Sequence, residues 1–161
     1  MTNEERIRAA WQGRISGCLL GKPVEMISMR EGPEGLNSFL KDSGSLPLRD
    51  YVNYMEHEML RGANKKCCLG MMDKAEVDDD ITYLVLALMM MEQHGIDLTT
   101  DDVARSWINL LPVGATFTAE RDSYLKLIEK SNMAYQFGGP RSFDFEEIND
   151  GEYNDWIGAQ I

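Results

Sequence analysis

Three consecutive aspartates, Asp78-Asp79-Asp80, run directly into an apolar, helix-forming stretch from Ile81 to Met91. A helix starting there carries carboxylates on its first turn, and successive helical residues point in different directions. Mg2+ takes hard oxygen ligands in near-octahedral array, generally one or two carboxylates with several waters. Three adjacent carboxylates could therefore reach two ions, or one ion and its waters. Such a site can produce hydroxide near neutral pH or hold two substrate oxygens at once. The same residues admit a second reading, because aspartate is favoured at N-caps and in first turns, where its charge meets the positive end of the helix dipole. The triplet alone leaves both open.

Three further strings accompany it. Residues 13–25 read Gly-Arg-Ile-Ser-Gly-Cys-Leu-Leu-Gly-Lys-Pro-Val-Glu, residues 116–121 read Thr-Phe-Thr-Ala-Glu-Arg, and residues 154–161 read Asn-Asp-Trp-Ile-Gly-Ala-Gln-Ile. In this order, from about Ile7 to Ile161, the chain resembles the ADP-ribosylglycohydrolase family, in particular bacterial members that read "GCLLGKPVE", "DDD" before a helix, and "WIGAQI". The resemblance implies an all-α fold, an orthogonal multi-helix bundle, with residues 1–161 forming a single helical domain that is the N-terminal part of it. It also implies a binuclear Mg2+ or Mn2+ site that hydrolyses the bond at the anomeric carbon of an ADP-ribose-containing substrate.

Carried over by position, the family's first ligand set falls on Asp78, Asp79 and Asp80. Its N-terminal glutamate falls on Glu25, and Glu25 or Asp79 is the expected acceptor of the water proton. The glycine turn that approaches ribose and phosphates falls on Ile157, Gly158, Ala159 and Gln160. Three departures stand out. Ile81 replaces the usual threonine after the aspartate pair, Gly21-Lys22-Pro23-Val24-Glu25 replaces an acidic "GDALG" version, and no Asp-x-Asp-Ser/Thr cluster is present. Asp144-Phe145-Glu146 does not supply one and reads as a solvated acidic loop. The expectation is the N-terminal part of a larger hydrolase whose C-terminal remainder is its partner. The alternative is a non-catalytic helical module that binds an ADP-ribose-like ligand or a protein. Whether the scissile bond runs to arginine, serine or another acceptor is left open by these residues.

Composition narrows the classes. A chain of 161 residues that is 43% apolar and 27% charged is ordinary for a globular protein and buries roughly 70% of its unfolded surface. Its net charge of −11 argues against nucleic acid or an anionic membrane as partner, since both reward clustered Lys and Arg. A nucleotide substrate is repelled at long range as well, unless bound divalent cations reverse the local field. The apolar run at 81–91 is about half the ~20 residues needed to span a bilayer, and the N-terminus lacks a secretory pattern; the cytoplasm is the expected location. Cys18, Cys67 and Cys68 are odd in number, two of them adjacent, which implies reduced thiols rather than a disulfide framework. With only His57 and His94 beside them, a structural zinc site is not supported.

The elements that must position these residues follow from periodicity and caps. Thr2-x-x-Glu5 predicts a capping box, and Ile7, Ala10, Trp11, Ile15 and Cys18 recur at helical spacing until Gly21 and Pro23, which predict the helix end and leave Glu25 on a loop. Residues 28–77 predict irregular chain with short helices near 34–41 and 52–61. A helix over 79–94 closes on His94-Gly95 and is apolar nearly all round, which predicts a central buried helix with Met89, Met90 and Met91 in the core. Thr100-Asp101-Asp102 predicts the cap of a helix to about Leu111, with Val103, Trp107 and Leu110 or Leu111 inward. A last helix is expected over 117–131, followed by loop to 151.

Overall fold

The structure, a computed structural model, describes residues 1–137 and 143–153. Among them are six α-helices and no strand: α1 (Asn3–Asp42), α2 (Ala63–Lys66), α3 (Asp79–His94), α4 (Thr100–Leu110), α5 (Ala119–Phe137) and α6 (Phe145–Ile148), with a 3-10 turn at Val113–Ala115. The all-α class expected from the periodicities is what the described residues show. Residues group into two compact units, Met1–Ile81 and Thr82–Ile161. No helix among the described residues is long and apolar enough to cross a membrane.

In the first unit, α1 opens on the expected capping box: Thr2 accepts from the Glu5 amide at 3.2 Å and the Glu5 carboxylate accepts from the Thr2 amide at 2.7 Å. The predicted stop at Gly21-Pro23 is wrong, because α1 continues through both. A helix-interior proline costs about 3 kcal/mol, but Pro23 is itself buried between Leu19 and Ile27 at i, i+4 and i+8. Burying side chains of that size returns roughly 1.5–3 kcal/mol each, so packing outweighs the lost hydrogen bond. Glu25 consequently sits on a helix, not a loop. The real break is Gly32, at φ 70° and ψ −170°, a conformation essentially confined to glycine; Pro33 then opens the final segment, where its fixed φ suits a first turn. That segment matches the short helix expected near 34–41.

The helix expected at 52–61 does not form. This stretch is irregular, its Val52 and Leu60 are buried with Ile27, Phe39 and Cys68 in one core cluster, and the only helix nearby is α2. Burial here comes from single side chains reaching in from irregular backbone, which leaves no helical period to read. By contrast, Ile7 at the start of α1 is 61% exposed, so its apolar spacing does not mark a buried face in this unit.

The second unit carries two clusters, Tyr83, Leu86, Met90, Leu111 and Tyr124 in one, Ala104, Leu127, Phe143 and Ile148 in the other. Helix α3 has the expected bounds, and Gly95, at φ 81°, donates to the Met91 carbonyl at 2.9 Å as a C′ glycine does. It is not buried all round: Tyr83, Leu86 and Met90 form one inward stripe, while Val85, Leu88, Met89 and Met91 are exposed. Only Met90 of the three methionines is core. Helix α4 is capped by Thr99, one residue before the expected Thr100, through a capping box with Asp102. Leu111 is buried and Leu110 exposed. The loop expected from 131 is instead helix to Phe137, and a further short helix, α6, follows an Asp144 cap; the acidic side chains Asp144, Glu146, Glu147, Asp150 and Glu152 are exposed as expected.

A carboxylate cluster around a buried lysine

Because α1 runs unbroken past Pro23, Cys18, Lys22 and Glu25 fall at i, i+4 and i+7 and share one side of the helix. Against that side lies the start of α3. Lys22 Nζ is paired with Asp78 Oδ2, and the pair is sequestered, the side chains being 14% and 7% exposed. The other Asp78 oxygen, Oδ1, accepts the Asp80 backbone N–H at 3.1 Å, the bond of an N-cap residue to the second residue of its helix. One carboxylate thus closes an ion pair and caps α3. Ligand atoms of Cys18, Asp78 and Asp80 lie within 4.8 Å of one another.

The electrostatics follow from one cation among four carboxylates. Burial raises the Asp78 pKa, but the hydrogen bonds from Lys22 and Cys18 and the lysine charge outweigh it and hold this carboxyl below its usual value. Burial likewise opposes the Lys22 charge, and Asp78 outweighs it, so the ammonium is held above its usual pKa. Asp79 is pushed up by burial and by Asp78 and Asp80. Glu25, although its side chain reaches solvent, is pushed up by its crowded surroundings and by Asp78 and Asp79. Burial, then the hydrogen bond to Asp78 and the charges of Asp78 and Asp80, drive the Cys18 thiol up to about 12. Cys67 is also raised, by burial first, with Lys22 pulling the other way. All three cysteines are free thiols.

The residues differ in how well they fit a hard divalent ion. Mg2+ and Mn2+ prefer oxygen donors, and Cys18 offers sulfur that its surroundings keep protonated. Asp78 has both oxygens engaged, and Lys22 stands on one of them. Two like unit charges 4 Å apart cost about 4 kcal/mol at an effective dielectric of ~20, and a divalent ion doubles that. Glu25, Asp79 and Asp80 form no ion pair among the described residues and retain carboxylate oxygens suited to such an ion. The cap contact of the triplet is thus made by Asp78.

Of the remaining expected site residues, Gly158, Ala159 and Gln160 lie outside the described residues. Thr116 and Glu120 are buried at the entry to α5, where Glu120 accepts the Phe117 N–H at 2.7 Å and Thr116 donates to the Val113 carbonyl at 2.6 Å; these are local capping bonds. Asp101 and Asp102 are likewise accounted for, Asp102 by the capping box and Asp101 by accepting the Phe143 N–H at 2.9 Å. An open groove of about 370 Å³ lies elsewhere on α1, along Ser16, Gly17 and Leu20 and against residues 48–51, on a different face from Cys18, Lys22 and Glu25. Lys22 was missed as a site residue because ending the helix at Gly21 removes the spacing that relates it to Cys18 and Glu25. No family model, curated protein or solved structure matches the chain.

Proposed function

We propose that this chain supplies carboxylates to the site of a divalent-cation-dependent hydrolase, acting on the glycosidic bond of an ADP-ribosylated protein or a related ADP-ribose derivative. The observation that supports this reading is that Glu25 on α1 lies within electrostatic reach of Asp78, Asp79 and Asp80, two segments more than 50 residues apart in sequence that the resemblance assigns to one site. Glu25, Asp79 and Asp80 are the residues that would hold Mg2+ or Mn2+. A divalent ion supplies Lewis acidity and makes a nearby water easier to ionise. Glu25 and Asp79, both held above the usual carboxylate range, are suited to accept a proton from that water, since a general base works best with a pKa raised toward the operating pH.

The test is release of ADP-ribose from a modified protein by the protein, with and without Mg2+ or Mn2+. Release should require the ion, and Glu25→Gln or Asp79→Asn should lower it by about 10²–10⁴-fold. Release that is unchanged in chelator, or no release from arginine- and serine-linked substrates alike, overturns the reading. The engagement of Asp78 by Lys22 favours a second reading, a helical module of the same scaffold that binds an ADP-ribose-like ligand without turnover; retained ligand binding without release selects it.

A further inference from the structure

We infer that His57 is a pH-sensitive latch on the break in α1: its neutral imidazole ties the turn at residues 57–60 to the helix on both sides of Gly32, and a second proton on the ring releases the turn. The latch stands apart from the carboxylate cluster and does not depend on the function proposed for it. Four contacts make it. Glu31, the residue before the break, has Oε1 3.1 Å from His57 Nε2. Phe39, beyond the break and buried, meets the imidazole edge-on, with ring centroids 5.5 Å apart at 74°. Within the turn, the Met59 amide donates to His57 Nδ1 at 3.2 Å and the Leu60 amide donates to the His57 carbonyl at 3.0 Å. Leu60 then enters the core cluster that holds Phe39.

These contacts select one form of the ring. Nδ1 accepts, so the neutral imidazole carries its hydrogen on Nε2, where it donates to Glu31. A proton added at Nδ1 turns that atom into a donor facing the Met59 N–H, and the bond from the amide is lost. The same proton adds charge to the Glu31 contact, but that carboxylate is 39% exposed and exposed pairs contribute little. An amide set against a second donor loses its hydrogen bond outright, so release of the turn outweighs the stronger pair. Gly35 leaves the room that Glu31 takes, since a Cβ there would fall 2.3 Å from the Glu31 Cβ and 2.8 Å from its Oε2. Glu31 is the charged group that faces the ring from α1, and Glu56 and Glu58 flank His57 in its own loop, both exposed. The core cluster around Phe39 adds Cys68, whose thiol burial pushes up to about 11, and Tyr54 at its edge, with Lys65 over the Tyr54 ring. Imidazole is the side chain whose ordinary charge change lies between about pH 5 and 8, which makes the turn, and not the helix, the acid-responsive part.

The test is nuclear magnetic resonance of the full chain across about pH 5–8. It reads the His57 ring nitrogens for tautomer and charge, and the Met59 and Leu60 amides for hydrogen exchange, corrected for the pH dependence of exchange itself. The neutral ring should be the Nε2–H tautomer, and protection of Met59 should fall by about tenfold or more as the ring is protonated, while the Ile27 and Phe39 amides in α1 keep theirs. His57→Asn offers an acceptor, Oδ1, in place of Nδ1 and does not titrate, so Met59 should stay protected across the range. Glu31→Gln keeps an acceptor for the Nε2 hydrogen without the charge and should move the midpoint of the Met59 change to lower pH. An Nδ1–H tautomer, a Met59 amide unprotected at every pH, or protection that is constant through the His57 titration overturns the inference. A midpoint unmoved in Glu31→Gln does so too, as does a pH response of Met59 that persists in His57→Asn.

Discussion

Adjacent aspartates in this chain should respond to pH with opposite signs. Asp78 has a folded-state pKa below its ordinary 3.8, so its contribution to stability is present above that value and lost as pH falls through the folded pKa. Asp79 and Glu25 are raised above 3.8 and 4.5, so what they contribute is present below those values and lost as pH rises through the raised ones. At pH 7 in chelator, Asp78→Asn should therefore lower Tm, whereas Asp79→Asn should raise it by about 2 °C, the response to a fraction of a kcal/mol in a chain of this size. The gain from Asp79→Asn should fade as pH falls through the raised Asp79 pKa and be gone below 3.8, where the carboxyl is protonated in both the folded and the unfolded chain. Circular dichroism melts between pH 3 and 7 check this, and a lower Tm for Asp79→Asn at pH 7 would remove the case that Asp79 is held at a cost. The sequence made the triplet conspicuous but not the pairing of Asp78 with Lys22, a residue 56 positions away.

Some helix boundaries were readable from one local bond: Thr2 with Glu5 and Gly95 after His94 each announce an end through side-chain or backbone chemistry within a few residues, whereas the cap of α4 falls on Thr99, one residue before the expected Thr100, and the Asp144 cap of α6 went unread. Boundaries were not readable where tertiary burial overrides a local penalty, as at Pro23, or where buried residues arrive on irregular backbone, as at Val52 and Leu60. Gly32 is the decisive element-scale residue, since α1 changes course there in a conformation that a Cβ disfavours. Gly32→Ala should cost about 1–3 kcal/mol, at roughly 2–4 °C per kcal/mol in Tm. Gly13→Ala is its control: Gly13 is in the helix interior, a Cβ there meets nothing within 4 Å, and alanine should stabilise by about 0.5–1 kcal/mol. Equal melting temperatures for the two variants would mean that the break at Gly32 is not a requirement of the fold.

Across the whole chain, 27 acidic residues face 16 basic ones, so self-repulsion opposes compaction and any added salt should help by screening. This nonspecific gain must be separated from ion binding at the carboxylate cluster. Screening depends on ionic strength alone and acts over a Debye length of about 10 Å at 0.1 M, whereas a bound ion stabilises as RT ln(1 + [L]/Kd) and continues to do so at constant ionic strength. Melts at fixed ionic strength, with MgCl2 or MnCl2 replacing NaCl, isolate the second contribution. The expected outcome is a Tm that rises with the logarithm of divalent concentration. Glu25→Gln/Asp79→Asn should abolish that rise while leaving the NaCl response nearly unchanged, because removing two of 27 acidic charges barely alters the overall field. Neutralising two exposed acidic residues far from the cluster in sequence, Glu146→Gln/Glu147→Gln, should leave the divalent response intact. A divalent response that survives Glu25→Gln/Asp79→Asn would show that the ions act on the charge of the molecule at large, and the metal assignment at this cluster, with the hydrolase reading built on it, would fall.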